Sequence, residues 1–332
     1  MNKPKVALIG TGGTIASVSA LGPLDVCEYT VGGSHLPPDE LLRRLPDFGS
    51  CAQVVPVPFR AVSSTAIGFS DWKALVLAAD RLVSEHPDLA GIVVLHGTAT
   101  LEETAYALNL TAKTAMPIVL VGAQRPVSAL SSDAGANLLG AIRTAGSPEA
   151  RGMGVLVCLN DEIQAAREVT KTSTRRLQTF RSPDFGVLGH ADADAICFYR
   201  RPTRRAAPDT EFDIRSLDGL PRVDIAYSYA GDDGTAVRAF MQAGASGIVV
   251  AALPAGRLPA PQLQACREAV AAGLHVVLST RAGSGRALLD SAYRGAGFIG
   301  ADNLTPQKAR ILLALGLART GSADDLVRMF AT

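Results

Sequence analysis

The chain has 332 residues, room for two ordinary domains or one large one, and at 48% hydrophobic and 19% charged it can bury a sizeable core. Its formal net charge is +1, without a basic stripe or an acidic tail, which leaves no support for nucleic-acid or membrane-surface binding. The Arg-Arg pairs at 43–44, 175–176, 200–201 and 204–205 are scattered and read as solvated surface. Met1-Asn2-Lys3-Pro4-Lys5 runs straight into an apolar stretch, with no signal-peptide pattern and no apolar span of membrane length. Five cysteines (27, 51, 158, 197, 266) form an odd, dispersed set without a CxxC pair, so a reducing, cytoplasmic setting is expected. Cys158 and Cys197 lie in apolar runs and read as buried small hydrophobes. The five histidines have no metal-ligand spacing, and neither a metal nor a cofactor is expected.

In chain order, apolar runs at 5–10, 53–58, 91–96, 117–122 and 154–160 predict strands. Helical patterns at 38–45, 70–85, 101–114 and 133–146 fall between them, and Glu102 and Glu103 suit the positive end of the third helix. Such alternation predicts βαβ units and a parallel sheet covered on both faces. The polar, proline-bearing stretch 200–222 reads as a linker between a domain at 1–199 and another at 223–332. The alternation then resumes with strands at 223–229, 247–252 and 274–279 and helices at 233–243, 260–272, 305–319 and 322–330. Thr305-Pro306 predicts a helix start, with threonine as cap and proline in the first turn.

Two of the strands end in threonine-bearing loops: Gly10-Thr11-Gly12-Gly13-Thr14-Ile15-Ala16 after the first, and His96-Gly97-Thr98-Ala99 after the third. In open α/β sheets that edge binds ligands, and two hydroxyls there suggest nucleophilic chemistry on a small molecule. The glycine run is not a dinucleotide fingerprint, because the third glycine position falls on Ile15. It is not a P-loop either, since it lacks Gly-Lys-Ser/Thr. It reads as a tight turn that presents Thr14, or as a turn alone. Lysine is scarce, with six residues, and one of them sits among hydroxyls in Val169-Thr170-Lys171-Thr172-Ser173-Thr174. Arginine stays protonated, whereas a lysine with a lowered pKa can take a proton from threonine; a solvated lysine is the plain alternative.

Together these segments resemble the bacterial-type L-asparaginase family of asparaginase/glutaminase amidohydrolases. Thr11-Gly12-Gly13-Thr14-Ile15-Ala16 is similar to its first threonine motif and Tyr29-Thr30-Val31-Gly32 to its lid. His96-Gly97-Thr98 with Leu101-Glu102-Glu103-Thr104-Ala105 is similar to its second threonine motif. Gly122-Ala123-Gln124-Arg125-Pro126, Ser131-Ser132-Asp133, Arg167-Glu168-Val169-Thr170-Lys171-Thr172 and Pro306-Gln307-Lys308-Ala309-Arg310 follow in the family's order, so the likeness runs end to end. It implies a larger, doubly wound, flavodoxin-like N-terminal domain and a smaller α/β C-terminal domain. It also implies a homotetramer built from intimate dimers, with each site completed by the partner subunit. The chemistry implied is hydrolysis of a small amide through an acyl-threonine. Thr14 would be the nucleophile with Tyr29 beside it, and Thr98 with Lys171 the pair that relays protons and activates water. Ser64 matches the contact to the substrate carboxylate, Thr65, Gly97 and Ala99 fall in the substrate-binding segments, and backbone N–H groups near Thr98 would form the oxyanion hole.

The departures share a theme. The family's Gly-Thr-Asp reads Gly97-Thr98-Ala99 here, and that aspartate receives the substrate's α-ammonium. An aspartate two residues beyond the serine is Ala66, a C-domain asparagine is Ala255, and a partner glutamate expected near 288–292 is missing, with Asp290 the sole acid there. The reaction machinery is kept while the amino-recognition set is depleted. L-asparagine, a related amide or lactam without a free α-ammonium, and a non-catalytic small-molecule-binding homologue all remain open as readings.

Overall fold

Strand β1 (Lys5–Gly10) is buried along nearly its whole length: Val6, Ala7, Leu8 and Ile9 are at most 1% exposed. A strand covered on both faces must lie inside a sheet. In this computed structural model, which describes residues 3–332, β1 is an interior strand, one in from the edge, of an eight-stranded sheet. The other members are β2 (Gln53–Val57), β3 (Leu89–Leu95), β4 (Ile118–Val121), β5 (Val155–Leu159), β6 (Glu162–Ala165), β7 (Gly189–Ala191) and β8 (Ile196–Phe198). The spatial order is β8-β7-β6-β5-β4-β3-β1-β2. The five strands β1 to β5 run parallel.

Side chains alternate between the two faces with a period of two residues. Val6 and Leu8 join Val93, Leu95, Val119 and Val121 in one core. The same core takes Leu41 from α1 (Pro38–Arg44) and Leu138, Ala141 and Ile142 from α4 (Ala134–Gly146). Helices α2 (Phe69–Glu85) and α3 (Leu101–Thr111) pack on one another and on the sheet, completing the doubly wound arrangement.

The strand expected over 154–160 stops at Leu159. Asn160 and Asp161 both take positive φ, 53° and 63°, and form a two-residue turn that sends the chain back antiparallel as β6. Strands β7 and β8 continue this antiparallel edge, which the βα alternation does not predict. Cys158 is buried as expected, but Cys197 is only half-buried because β8 is the outermost strand. Arg200 is not a solvated surface residue either. It bridges the Glu168 carboxylate at 2.6 Å, and that carboxylate is buried enough to demand a cation.

The chain divides into two compact units, with the boundary between Glu211 and Phe212. The second unit holds a four-stranded parallel sheet in sequential order: β9 (Val223–Tyr227), β10 (Gly247–Ala252), β11 (His275–Thr280) and β12 (Ile299–Gly300). Its core gathers Ile248, Val250, Val276 and Leu278 from the sheet with Val237 of α5 (Thr235–Gln242) and Ala265, Cys266 and Ala269 of α6 (Ala260–Ala271). A short α7 (Ser291–Gly295) precedes β12, and α8 (Pro306–Arg319) and α9 (Ala323–Ala331) end the chain. Thr305 stands at the cap position of α8, but its hydroxyl is buried and makes no capping bond; Pro306 supplies the start signal instead. Among the described residues no helix is long and apolar enough to cross a membrane.

Candidate active site

The parallel strands lie in the order β2-β1-β3-β4-β5, so the direction of winding reverses between β1 and β3. At such a switch point the connections leave the sheet in opposite directions and open a crevice at the carboxyl ends of the two strands. Thr14 follows β1 and Thr98 follows β3, so chain topology puts both threonine loops at this crevice.

The glycines explain how closely the loops meet. Gly13 takes φ +90°, and a Cβ there would lie 2.4 Å from Gly97 Cα. Gly12 takes φ +94°, with the Val62 carbonyl 2.9 Å from where its Cβ would be. A Cβ on Gly97 would meet Ser64 Oγ at 2.7 Å. Three backbones therefore pack against one another, and the glycine run serves that approach rather than a phosphate.

The result is a cleft of about 380 Å³ lined by Thr14, Tyr29, Ser64, Thr65, Gly97, Thr98, Ala99 and Lys171 together. All eight residues singled out from the sequence thus face one space. Two polar pairs dominate it, one of two hydroxyls and one of an amine with a hydroxyl. The Thr14 hydroxyl is 2.9 Å from the Tyr29 hydroxyl, and Lys171 Nζ donates to Thr98 Oγ1 at 2.8 Å. Thr98 is 9% exposed and Lys171 is half-buried, a member of a two-stranded ribbon pairing Thr170–Lys171 with Phe180–Arg181. Burial lowers the Lys171 pKa below the ordinary lysine range, and the nearby Glu102 carboxylate offsets part of that shift.

His96 braces the second loop from beneath. It is fully buried, and its Nδ1 lies 2.8 Å from the Gly97 carbonyl, which can only accept, so Nδ1 carries the proton. Burial pushes the imidazole pKa down to about 4, against the opposing Gly97 hydrogen bond and Asp71 charge. Tyr29 belongs to a segment turned by Asp25, whose carboxylate accepts from Ser19 Oγ at 2.5 Å and from the N–H groups of Cys27 and Glu28 at 2.9 and 2.8 Å. The Ser19 hydroxyl, followed by the Glu28 N–H, holds the Asp25 pKa below the usual carboxylate range.

The cleft also takes residues to which the sequence assigned no role, among them Gln124, His35, Ser63 and Arg175. Gln124 had a signal in the sequence. Its loop is held by Asp133, which accepts from the N–H groups of Gln124 and Arg125 at 2.9 Å each, so the two short motifs work as one. The other three carried no signal, because proximity across the chain selects them. Ala66 is exposed and is not part of the cleft lining. Asp290 is engaged within the second unit: it caps α7 by accepting from Tyr293 N–H at 2.9 Å and pairs with Arg257 at 2.6 Å.

A doubly wound unit with paired polar side chains at its switch point belongs to the class of α/β proteins that bind a small molecule at the carboxyl edge of the sheet. Comparison narrows the class. Residues 5–204 match the family described as Asparaginase, N-terminal, and residues 222–330 match the Glutaminase/Asparaginase C-terminal domain. The chain is 40% identical to L-asparaginase 2 of Bacillus subtilis (strain 168), covering 98% of this chain and 86% of that one. It is 37% identical to the glutaminase-asparaginase of Pseudomonas fluorescens biotype A, covering 98% and 89%. A solved structure described as a probable cytoplasmic L-asparaginase from Campylobacter jejuni superposes with a TM-score of 0.91 at 36% identity, covering 99% of this chain and all of that one. The chain belongs to the asparaginase family and is an amidohydrolase of that type.

Proposed function

We propose that the cleft cleaves a small, carboxylate-bearing amide through an acyl-threonine formed on Thr14. The observation that carries the reading is the pair of hydroxyl contacts, 2.9 and 2.8 Å, on the walls of one cleft. Thr14 Oγ1 attacks the amide carbon, with Tyr29 placed to share its proton, and the amide nitrogen leaves as ammonia after taking up that proton. Thr98 then takes a proton from the water that attacks the ester while passing its own to a neutral Lys171, and that proton returns to Thr14 Oγ1 as the ester C–O bond breaks, which releases the carboxylic acid and restores the Thr14 hydroxyl. The lowered Lys171 pKa supports this role, because a lysine serves as a base only in its neutral form. Backbone N–H groups of the 97–99 loop are the nearest source of oxyanion stabilisation. Ser64, beside Gly97, is assigned to the substrate carboxylate.

The charge of the cleft supports an amide with no free α-ammonium. Among the described residues that line it are the basic side chains Lys171 and Arg175 and no aspartate or glutamate, with Ala99 exposed to the space. A hydrogen bond to a charged group is worth about 1.5–3 kcal/mol, or roughly one to two orders of magnitude in specificity. L-asparagine is therefore a poor substrate on this reading. Likeness to the family also supports a homotetramer, and the five free cysteines support a cytoplasmic setting.

Ammonia release from a panel of free, deaminated and N-acylated amides tests the reading. Intact-mass analysis of Lys171→Met after brief exposure to a substrate should show an adduct, located to Thr14. No ammonia from any amide, or an adduct on another residue, would sink it.

A further inference from the structure

Arg175 lies four residues beyond Lys171, at the tip of the connection between Lys171 and Phe180. The foot of that connection is braced. Thr172 N–H donates to the Thr179 carbonyl at 2.8 Å, Ser173 N–H to Thr179 Oγ1 at 2.9 Å, and Thr179 Oγ1 to the Ser173 carbonyl at 2.6 Å. Thr179 is fully buried. From this anchored tip the Arg175 guanidinium reaches a segment nearly 150 residues away in sequence. Nη2 donates to the Val26 carbonyl at 2.7 Å and Nη1 to Cys27 Sγ at 2.8 Å. Two residues further along the held segment comes Tyr29, whose hydroxyl meets Thr14. Arg175 and its neighbour Arg176 are both exposed, and it is the Arg175 guanidinium that spans to this segment.

We propose that Arg175 is a positioning residue, a strap that holds the 25–31 segment closed so that Tyr29 stands on Thr14. One short connection then governs both polar pairs: Lys171 at its foot sets Thr98, and Arg175 at its tip sets Tyr29. The geometry accounts for the choice of residue. A guanidinium offers several donors in a fixed plane and can engage a carbonyl and a sulfur at once, whereas a lysine ammonium is a single point of attachment on a flexible stem. The segment's own anchors, Ser19 on Asp25 and the turn closed by Val31 N–H on the Glu28 carbonyl at 2.7 Å, fix its fold but do not tie it across the cleft. The strap does so from the opposite wall. Its catalytic consequence rests on the amidohydrolase reading, while its structural claim stands by itself.

The test has two arms. Hydrogen–deuterium exchange of the full-length protein follows the Cys27, Glu28 and Val31 amides, all hydrogen-bonded within the segment. Arg175→Ala should speed their exchange at least fivefold, Arg175→Lys by less, and Arg176→Ala not at all. In the kinetic arm, Arg175→Ala should lower kcat/KM about tenfold, and the double variant with Tyr29→Phe should be no slower than Tyr29→Phe alone, because a residue acting through another shows no additive loss. Unchanged exchange in Arg175→Ala, or losses that multiply in full in the double variant, would overturn the strap. A wild-type protein that releases ammonia from no amide would overturn the hydrolase reading, and the exchange arm would still decide the strap.

Discussion

His96 links acid stability to the loop that carries Thr98. Its pKa in the folded protein is about 4 against an ordinary value of 6.5, so between those values the unfolded chain binds a proton that the folded one refuses. Stability therefore falls as pH falls through that window. It is intact above pH 6.5, and below pH 4 the full penalty applies. A shift of about 2.5 units at about 1.36 kcal/mol per unit gives roughly 3 kcal/mol lost on acidification. His96→Asn is the informative perturbation, because the asparagine amide can still donate to the Gly97 carbonyl while nothing titrates. The variant should be less stable at pH 7, since a smaller side chain leaves a void, but its stability should fall less steeply with acid. Urea unfolding at pH 7 and pH 4 measures both slopes, and the carboxylates common to the two proteins cancel in the difference. Nuclear magnetic resonance of histidine-labelled protein, with five rings to resolve, should show one imidazole neutral down to about pH 4. Parallel losses in wild type and His96→Asn, or a His96 ring that titrates near 6.5, would refute the argument.

Thr14→Ala should retain the fold and lose all but a small fraction of turnover; a variant that keeps more than roughly a tenth of the wild-type rate removes Thr14 as the nucleophile. Lys171→Met should bind ligand but not turn over, and the wild-type kcat should rise with pH through a midpoint below that of a free lysine, the direction its burial dictates. A profile flat across neutral and mildly alkaline pH would exclude a titrating lysine. Ala99→Asp should shift kcat/KM toward L-asparagine relative to an N-acylated analogue by about tenfold or more, the worth of one charged hydrogen bond; no shift would mean that the ammonium site lies elsewhere. Light scattering should find a dimer or tetramer, and a fully active monomer would end the shared-site reading.

The sequence by itself determined the parallel core and singled out eight residues that line one cleft. Apolar runs such as Val6 to Ile9 and Ile92 to Leu95, too short for buried helices, admit only interior strands of a sheet covered on both faces. A threonine placed just after two of those runs is a local fact, and so are the motifs that name the family. The tertiary structure decided what depends on meetings between distant segments. Neither Lys171 on Thr98, 73 residues apart, nor Arg175 on Cys27, 148 apart, leaves a local signature, since each bond is fixed by how sheet edge and loops close on one another. The antiparallel edge β6-β7-β8 escaped notice because its strands have three or four residues and mixed polarity, too short for a period to register. Its one local cue was Asn160-Asp161, two residues able to adopt positive φ. The glycines show the division within a single motif. Their number in the first loop could be read from the chain, but their purpose could not. Gly13 is required because Gly97, 84 residues later, comes so close that no side chain fits between them.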